Sequence, residues 1–245
     1  MKILVCISHV PDTTTKINFT PDNKSFVTQG VQFIINPYDE IALTRALELT
    51  EKSGGSITVI NVGEAATEPT LRKALAIGAT DAVRINARPH EAFFVATQIA
   101  EYLKINPCDL ILCGRESIDF NGGSVPSMIA EMLGIPSVAI AKTINVEGAT
   151  GIIEREIEGG KEIIECALPF VAGCSESVAE PRIPNMRGIM SARTKPLVVI
   201  EAVQTDELTK VINYDKPLQR SSVKLVDAAE PGKLLELLHT EKKVI

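Results

Sequence analysis

The stretch richest in chemistry is "GRESIDFNGGSVPSMIAEMLG", residues 114–134. It offers a cation at Arg115, carboxylates at Glu116 and Asp119, a glycine pair at Gly122 and Gly123, and Ser124 directly before a helical apolar pattern. A glycine pair lets the backbone approach a ligand closely, a serine can cap the helix that follows, and that helix's first turn presents free N–H groups to an anion. The set suits a phosphate. It lacks the lysine of G-x-x-x-x-G-K-[ST] and the spacing of G-x-G-x-x-G, so nucleotide hydrolysis is not indicated. Asp39, Glu116 and Asp119 have the chemistry of acids or bases, but a carboxylate at a strand end serves equally to bind a ribose hydroxyl or to cap a helix. The competing reading is a glycine-rich helix start with no ligand.

Other catalytic sets are thin. "GRESI" is not G-x-S-x-G, and His9, His90 and His239 stand apart from one another, so no Ser–His–Asp arrangement can be argued. Cys6, Cys108, Cys113, Cys166 and Cys174 are odd in number and never spaced C-x-x-C. They imply core thiols, with no disulfide framework and no zinc site. Turnover by this chain alone is not expected.

A second informative stretch is "EPRIPNMRGIMSARTKP", residues 180–196, basic in a chain of formal net charge -6. Pro181, Pro184 and Pro196 exclude a continuous helix or a central strand, which makes it a loop or arm without secondary structure of its own. Ile183, Met186, Ile189 and Met190 are not residues of a solvated linker. A protein-binding arm fits them, and so does a loop tucked onto its own domain. With no Trp and no aromatic residues among the cations, a nucleic-acid surface is excluded.

These loops need elements to hold them. At 245 residues and 45% hydrophobic, the chain can bury a large core. Short apolar runs at 2–8, 56–63, 81–86, 109–114 and 137–140 read as strands, and the patterns at 36–52, 67–79 and 90–104 read as helices between them. In the first helix, Ile41, Leu43, Ala46, Leu47 and Thr50 mark the inward face. Strand, helix, strand in this order predicts parallel βαβ units and an α/β fold. Residues 16–28 predict a hairpin turning at Pro21–Asn23, and "TGIIEREIEGGKEIIECALP" predicts another turning at Gly159–Gly160. The tail "SSVKLVDAAEPGKLLELLHTEKK" predicts a strand and a short helix with Leu234, Leu235, Leu237 and Leu238. The division expected is 1–179 for the α/β domain with its hairpin, 180–196 for the arm, and 197–245 for a C-terminal segment contacting a partner. No apolar run reaches the roughly 20 residues of a membrane span, and no cleavage site follows the first strand, so a cytoplasmic location is expected.

Several segments taken together resemble the β subunit of electron transfer flavoprotein: "VPDTTTKI", "NPYDEIAL", "LRKALAIGATDAVRI", "GRESID", "IEREIEGGKEIIECALPFV", and "EPR" followed by "GIM". The resemblance implies a Rossmann-like fold akin to adenine-nucleotide α-hydrolases. It also implies a heterodimer whose α subunit carries the redox FAD, with AMP, or in electron-bifurcating members a second FAD, buried in the β subunit. The adenine nucleotide would meet Cys6, Asn36, Asp39, Val62 and the run Gly114, Arg115, Glu116, Ser117, Ile118, Asp119, Phe120, Asn121, Gly122, Gly123, Ser124 and Val125. Thr13, where many members have an aromatic residue, and Glu156 would lie near the α-subunit flavin. The arm corresponds to a recognition loop, Arg182, Ile183, Pro184, Asn185, Met186, Arg187, Gly188, Ile189 and Met190. By the same resemblance that loop would dock on acyl-CoA or other flavin dehydrogenases, with a quinone oxidoreductase as acceptor. "FNGGSVPSM" matches neither D-x-N-x-T-G-Q-M of AMP-binding members nor D-G-D-T-A-Q-V-G-P of bifurcating ones, while "NPYDEIA" leans toward AMP. A stand-alone adenine-nucleotide stress-type protein would share the core and the glycine loop but has no need of the hairpin, the arm or the tail.

Overall fold

The computed structural model describes residues 1–218 and 223–245. Its apolar runs become the parallel strands β1 (Lys2–Cys6), β4 (Ser56–Val62), β5 (Asp81–Asn86) and β6 (Leu110–Gly114), with a small antiparallel ribbon of β2 (His9–Pro11) and β3 (Phe33–Ile35) leading into the first helix. Between them run α1 (Pro37–Ser53), α2 (Glu68–Ile77) and α3 (Ala92–Ile105), and α4 (Val125–Leu133) follows β6. Successive β1 residues face opposite ways: Ile3 and Val5 join the core beneath α1 and α2, Leu4 and Cys6 the core beneath α3 and α4. Apolar side chains on both faces explain why β1 reads as a continuous hydrophobic run.

With β7 (Ser137–Glu147), β8 (Thr150–Ile157), β9 (Gly160–Ala167), β10 (Phe170–Cys174) and β11 (Leu197–Glu201), nine strands among the described residues form one sheet, in the order β11–β5–β4–β1–β6–β10–β7–β8–β9. The chain moves outward from β1 through β4 to β5, then α3 carries it back to β6 on the other side of β1. The order therefore reverses between β1 and β6, which opens a crevice beyond their carboxyl ends.

The expected four-residue strand at 137 is an eleven-residue strand, β7 (Ser137–Glu147), that runs out of the parallel core and pairs antiparallel with β8 (Thr150–Ile157); β8 pairs in turn with β9 (Gly160–Ala167). The predicted hairpin turns one residue earlier than expected, at Glu158–Gly159, where Gly159 supplies the left-handed φ of 83°. After it, β10 (Phe170–Cys174) slots between β6 and β7, parallel to both. The hairpin expected at 16–28 is reduced to one bridge, Phe19 with Phe26, flanked by the Asn18–Val27 and Thr20–Ser25 backbone bonds.

The arm contradicts the expectation of no secondary structure. Between Pro184 and Pro196 it forms α5 (Met186–Ala192), because the prolines sit outside a stretch long enough for two turns and Asn185 caps the first, its Oδ1 accepting from the Gly188 amide at 2.8 Å. After it β11 (Leu197–Glu201) returns to the sheet edge beside β5. The tail runs along α3: the Gln98 side-chain amide accepts from the Val203 N–H at 2.7 Å and donates to the Val203 carbonyl at 2.8 Å, and Glu91, just before the helix, accepts from the Leu208 and Thr209 amides. The strand expected in "SSVKLV" is absent from Val223–Val226, and its first two residues lie outside the described residues; α6 (Pro231–Leu237) then runs into a π-helical turn, Leu238–Lys242. Among the described residues, no helix is long and apolar enough to cross a membrane.

Candidate functional site

At the crevice, Asp39 is the clamp. It lies in the first turn of α1, 3% exposed, and its two carboxylate oxygens accept from the Ser8 amide just past β1 (2.7 Å) and the Gly114 amide at the end of β6 (2.9 Å). One side chain thus ties together the two strands between which the sheet order reverses. Burial pushes its carboxyl up from the ordinary range to about 6, against the pull of these amides and of Asn36. Asn36, fully buried before α1, works on the loop itself: its Nδ2 donates to the Glu116 carbonyl at 2.8 Å and its Oδ1 accepts from the Ile118 amide at 3.3 Å. Gly114 has no room for a side chain, since a Cβ would collide with Asp39 Oδ1 and stand 2.7 Å from Tyr38 Cβ.

Beyond Gly114 the loop folds on itself. Ser117 bridges to Gly122, its amide donating to the Gly122 carbonyl at 2.9 Å, and Asp119 accepts from the Ser117 hydroxyl (2.5 Å) and the Phe120 amide (2.9 Å). Asn121 takes a φ of 50° at the tip, where Phe120 is exposed. Gly122 faces open space, whereas a Cβ on Gly123 would stand 2.9 Å from the Arg115 carbonyl. Ser124 sits at the N-cap of α4 but its hydroxyl makes no capping bond, contrary to the sequence expectation; its ψ of -23° is already helical, so the hydroxyl is not held over the first-turn amides. Those first-turn N–H groups have no intrahelical acceptor.

Arg115 is the cation of the site. It lies over the Tyr38 ring at 5.4 Å, and its ion pairs with Glu116 (3.6 Å) and Glu176 (3.7 Å) are long. The residues present fit an anionic nucleotide: a cation, a glycine-lined backbone, and a nine-residue helix aiming its N-terminus at the same loop. Cys6 and Val62 belong to strand ends flanking the crevice, with their side chains in the core under α3 and α4. Asn61, next to Val62, donates to the Ile7 carbonyl at 2.8 Å.

Sequence reasoning passed over Tyr38 and Glu176. Tyr38 lies within "NPYDE", but its partner Arg115 is far away in sequence and only the fold brings them together; Glu176 carries no local signal. Three of the five thiols, Cys6, Cys113 and Cys174, are buried, and Cys108 and Cys166 are half-buried.

The other expected residues lie apart from the crevice. Thr13 is exposed in the turn after β2. Glu156 is on β8, four strands out from β1, paired with Lys142 at 2.8 Å. Each pulls the other: the lysine holds the Glu156 carboxyl below its ordinary range, and Glu156 raises the ammonium. The arm lies against α2, with Ile183, Met186 and Met190 pointing outward.

The Electron transfer flavoprotein domain matches residues 24–205. The chain is 34% identical to the electron transfer flavoprotein subunit beta of Bacillus subtilis over the whole of both proteins. It belongs to the electron transfer flavoprotein family. It is also 36% identical to the subunit beta of Thermoanaerobacterium thermosaccharolyticum, covering 95% of this chain and 89% of that protein, and 32% identical to that of Homo sapiens, covering 94% of each. The resemblance seen in the sequence is to the subunit beta of this family, which assigns the chain to electron transport in a flavoprotein and implies an α-subunit partner. The crevice, the β7–β9 extension and the arm are therefore features of a flavoprotein subunit.

Proposed function

We propose that this chain is the β subunit of an electron-carrying heterodimer, without turnover of its own, that holds AMP in the crevice between β1 and β6. The observation that carries the nucleotide assignment is the convergence, on one Asp39-clamped loop, of Arg115, Gly123 and the α4 N-terminus. In this reading the α4 amides and Arg115 hold the phosphate, Gly123 lets it approach the backbone, and Asn36 and Asp39 hold the loop in shape. The AMP supplies no redox chemistry; the α subunit's FAD carries the electrons. Glu156, with Lys142 beside it, faces that flavin. The outward face of the arm docks flavin dehydrogenases such as acyl-CoA dehydrogenases, and electrons pass on to a quinone oxidoreductase.

A second reading, in which the crevice holds a further FAD, draws on Val125, which agrees with the bifurcating-type loop although "FNGGSVPSM" as a whole departs from both types. The test is to purify the chain with its α subunit, denature the complex and separate the released nucleotides. One FAD and one AMP per heterodimer are expected; two FAD would replace AMP in the crevice, and a single FAD with no second nucleotide would overturn the crevice assignment.

A further inference from the structure

The arm is bolted to a helix far from it in sequence. Arg72, on α2, donates through a single Nη1 to the carbonyls of Ala192 (2.8 Å) and Lys195 (2.7 Å), 120 and 123 residues away. Lys195 returns the contact, its Nζ donating to the carbonyls of Leu75 (2.9 Å) and Ala79 (2.6 Å) at the end of α2. Arg72 thus caps the last carbonyl of α5, at Ala192, and Lys195, in the turn beyond α5, caps the Leu75 carbonyl in the last turn of α2, which satisfies orphan acceptors near the negative end of each helix dipole. Between the caps the backbones touch: a Cβ on Gly188 would collide with the Ala76 carbonyl. At the arm's entrance Arg182 forms a two-armed pair with Glu51 (2.5 and 2.9 Å), and its amide donates to the Thr44 hydroxyl at 3.2 Å.

What these contacts leave free is the opposite side. Ile183 and Met186 are 91% and 74% exposed, and Met190 is exposed beside them. The hydrogen bonds to α1 and α2 lie beneath the arm, and these three side chains face outward.

We infer that Arg72 and Gly188 are positioning residues for partner docking: the α2–α5 interlock keeps the Ile183–Met186–Met190 face in its docking shape before a partner arrives. This rests on the docking role proposed above. A segment already in its bound shape loses less freedom on association. An arm released from α2 and holding that shape about one tenth of the time binds about tenfold more weakly. Arg72 acts through the carbonyls of Ala192 and Lys195.

The test uses the assembled heterodimer carrying Arg72→Ala, Arg72→Lys, Gly188→Val or Met186→Ala. Two quantities are read: amide hydrogen exchange over residues 186–192, and the dependence of electron transfer on the concentration of a purified acyl-CoA dehydrogenase reduced by its acyl-CoA. Arg72→Ala is expected to speed exchange in the arm about tenfold and raise the KM for the dehydrogenase about tenfold at an unchanged limiting rate, and Gly188→Val, on the arm itself, to speed exchange likewise. Arg72→Lys, which can still donate to one carbonyl, restores part of both. Met186→Ala is expected to raise KM with exchange unchanged. If Met186→Ala weakens docking but Arg72→Ala alters neither exchange nor KM, the interlock inference is wrong and the docking role stands. If Met186→Ala leaves KM unchanged, the docking role falls and takes the inference with it, whatever the exchange rates show.

Discussion

Asp39→Asn probes the clamp at the crevice through its pH dependence. Burial holds the Asp39 carboxyl near 6, while in the unfolded chain it titrates near the ordinary 3.8. The folded protein therefore keeps a proton that the unfolded chain has lost, so the stability that Asp39 contributes is full below the unfolded value and is lost as pH rises through the folded one. The separation of about two units corresponds to about 3 kcal/mol in all, of which about 1 kcal/mol is lost between pH 5 and 7.5. Asparagine cannot titrate, so this slope disappears. Its single oxygen also serves only one of the two amides, leaving either Ser8 or Gly114 with a buried unpaired N–H, a cost of about 1–3 kcal/mol. The variant should be less stable than the parent at pH 5, with the gap narrowing by about 1 kcal/mol at pH 7.5 as the parent comes to bear its buried charge. Guanidinium unfolding of the heterodimer at fixed protein concentration, run at pH 5, 6 and 7.5 on both proteins, measures the gap. A gap constant across this range would refute the reasoning, because it would mean that Asp39 ionises alike in the folded and unfolded chain.

Two further perturbations have signs that the geometry sets. Gly122→Ala, which adds a methyl to open space, should leave nucleotide retention on desalting unchanged, whereas Gly123→Ala pushes against the Arg115 carbonyl and should lose nucleotide; equal retention would place the ligand elsewhere. Glu156→Ala should raise the potential of the α-subunit flavin and Lys142→Ala should lower it, since the lysine at 2.8 Å offsets the carboxylate; redox titrations that move together, or not at all, would remove Glu156 from the flavin's surroundings.

How much of this was readable in advance depended on the range of the forces involved. Buried parallel strands announce themselves as apolar runs, and helices as apolar residues at helical spacing, because burial acts on each side chain where it stands; hence β1, β4, β5, β6 and the first three helices appear close to their expected bounds. Asp39 and Gly114 were already in view, as a carboxylate at a helix start and a glycine at a strand end. Their joint action was not, since the hydrogen bond that unites them spans 75 residues and exists only because β1 and β6 lie side by side. Nor does local sequence say that β10 enters between β6 and β7, or that β7 runs on into the antiparallel extension, for an apolar strand pairs equally well with several neighbours until the whole order is set. The arm shows the division most plainly. Its prolines mark where a helix cannot run, and they are correctly placed at the two ends; that the short stretch between them is helical at all follows from Asn185, the Gly188–Ala76 contact and the cations exchanged with α2. A seven-residue helix is too short to be stable alone, because nucleation costs more than so few backbone bonds return, and only packing against α2 supplies the difference.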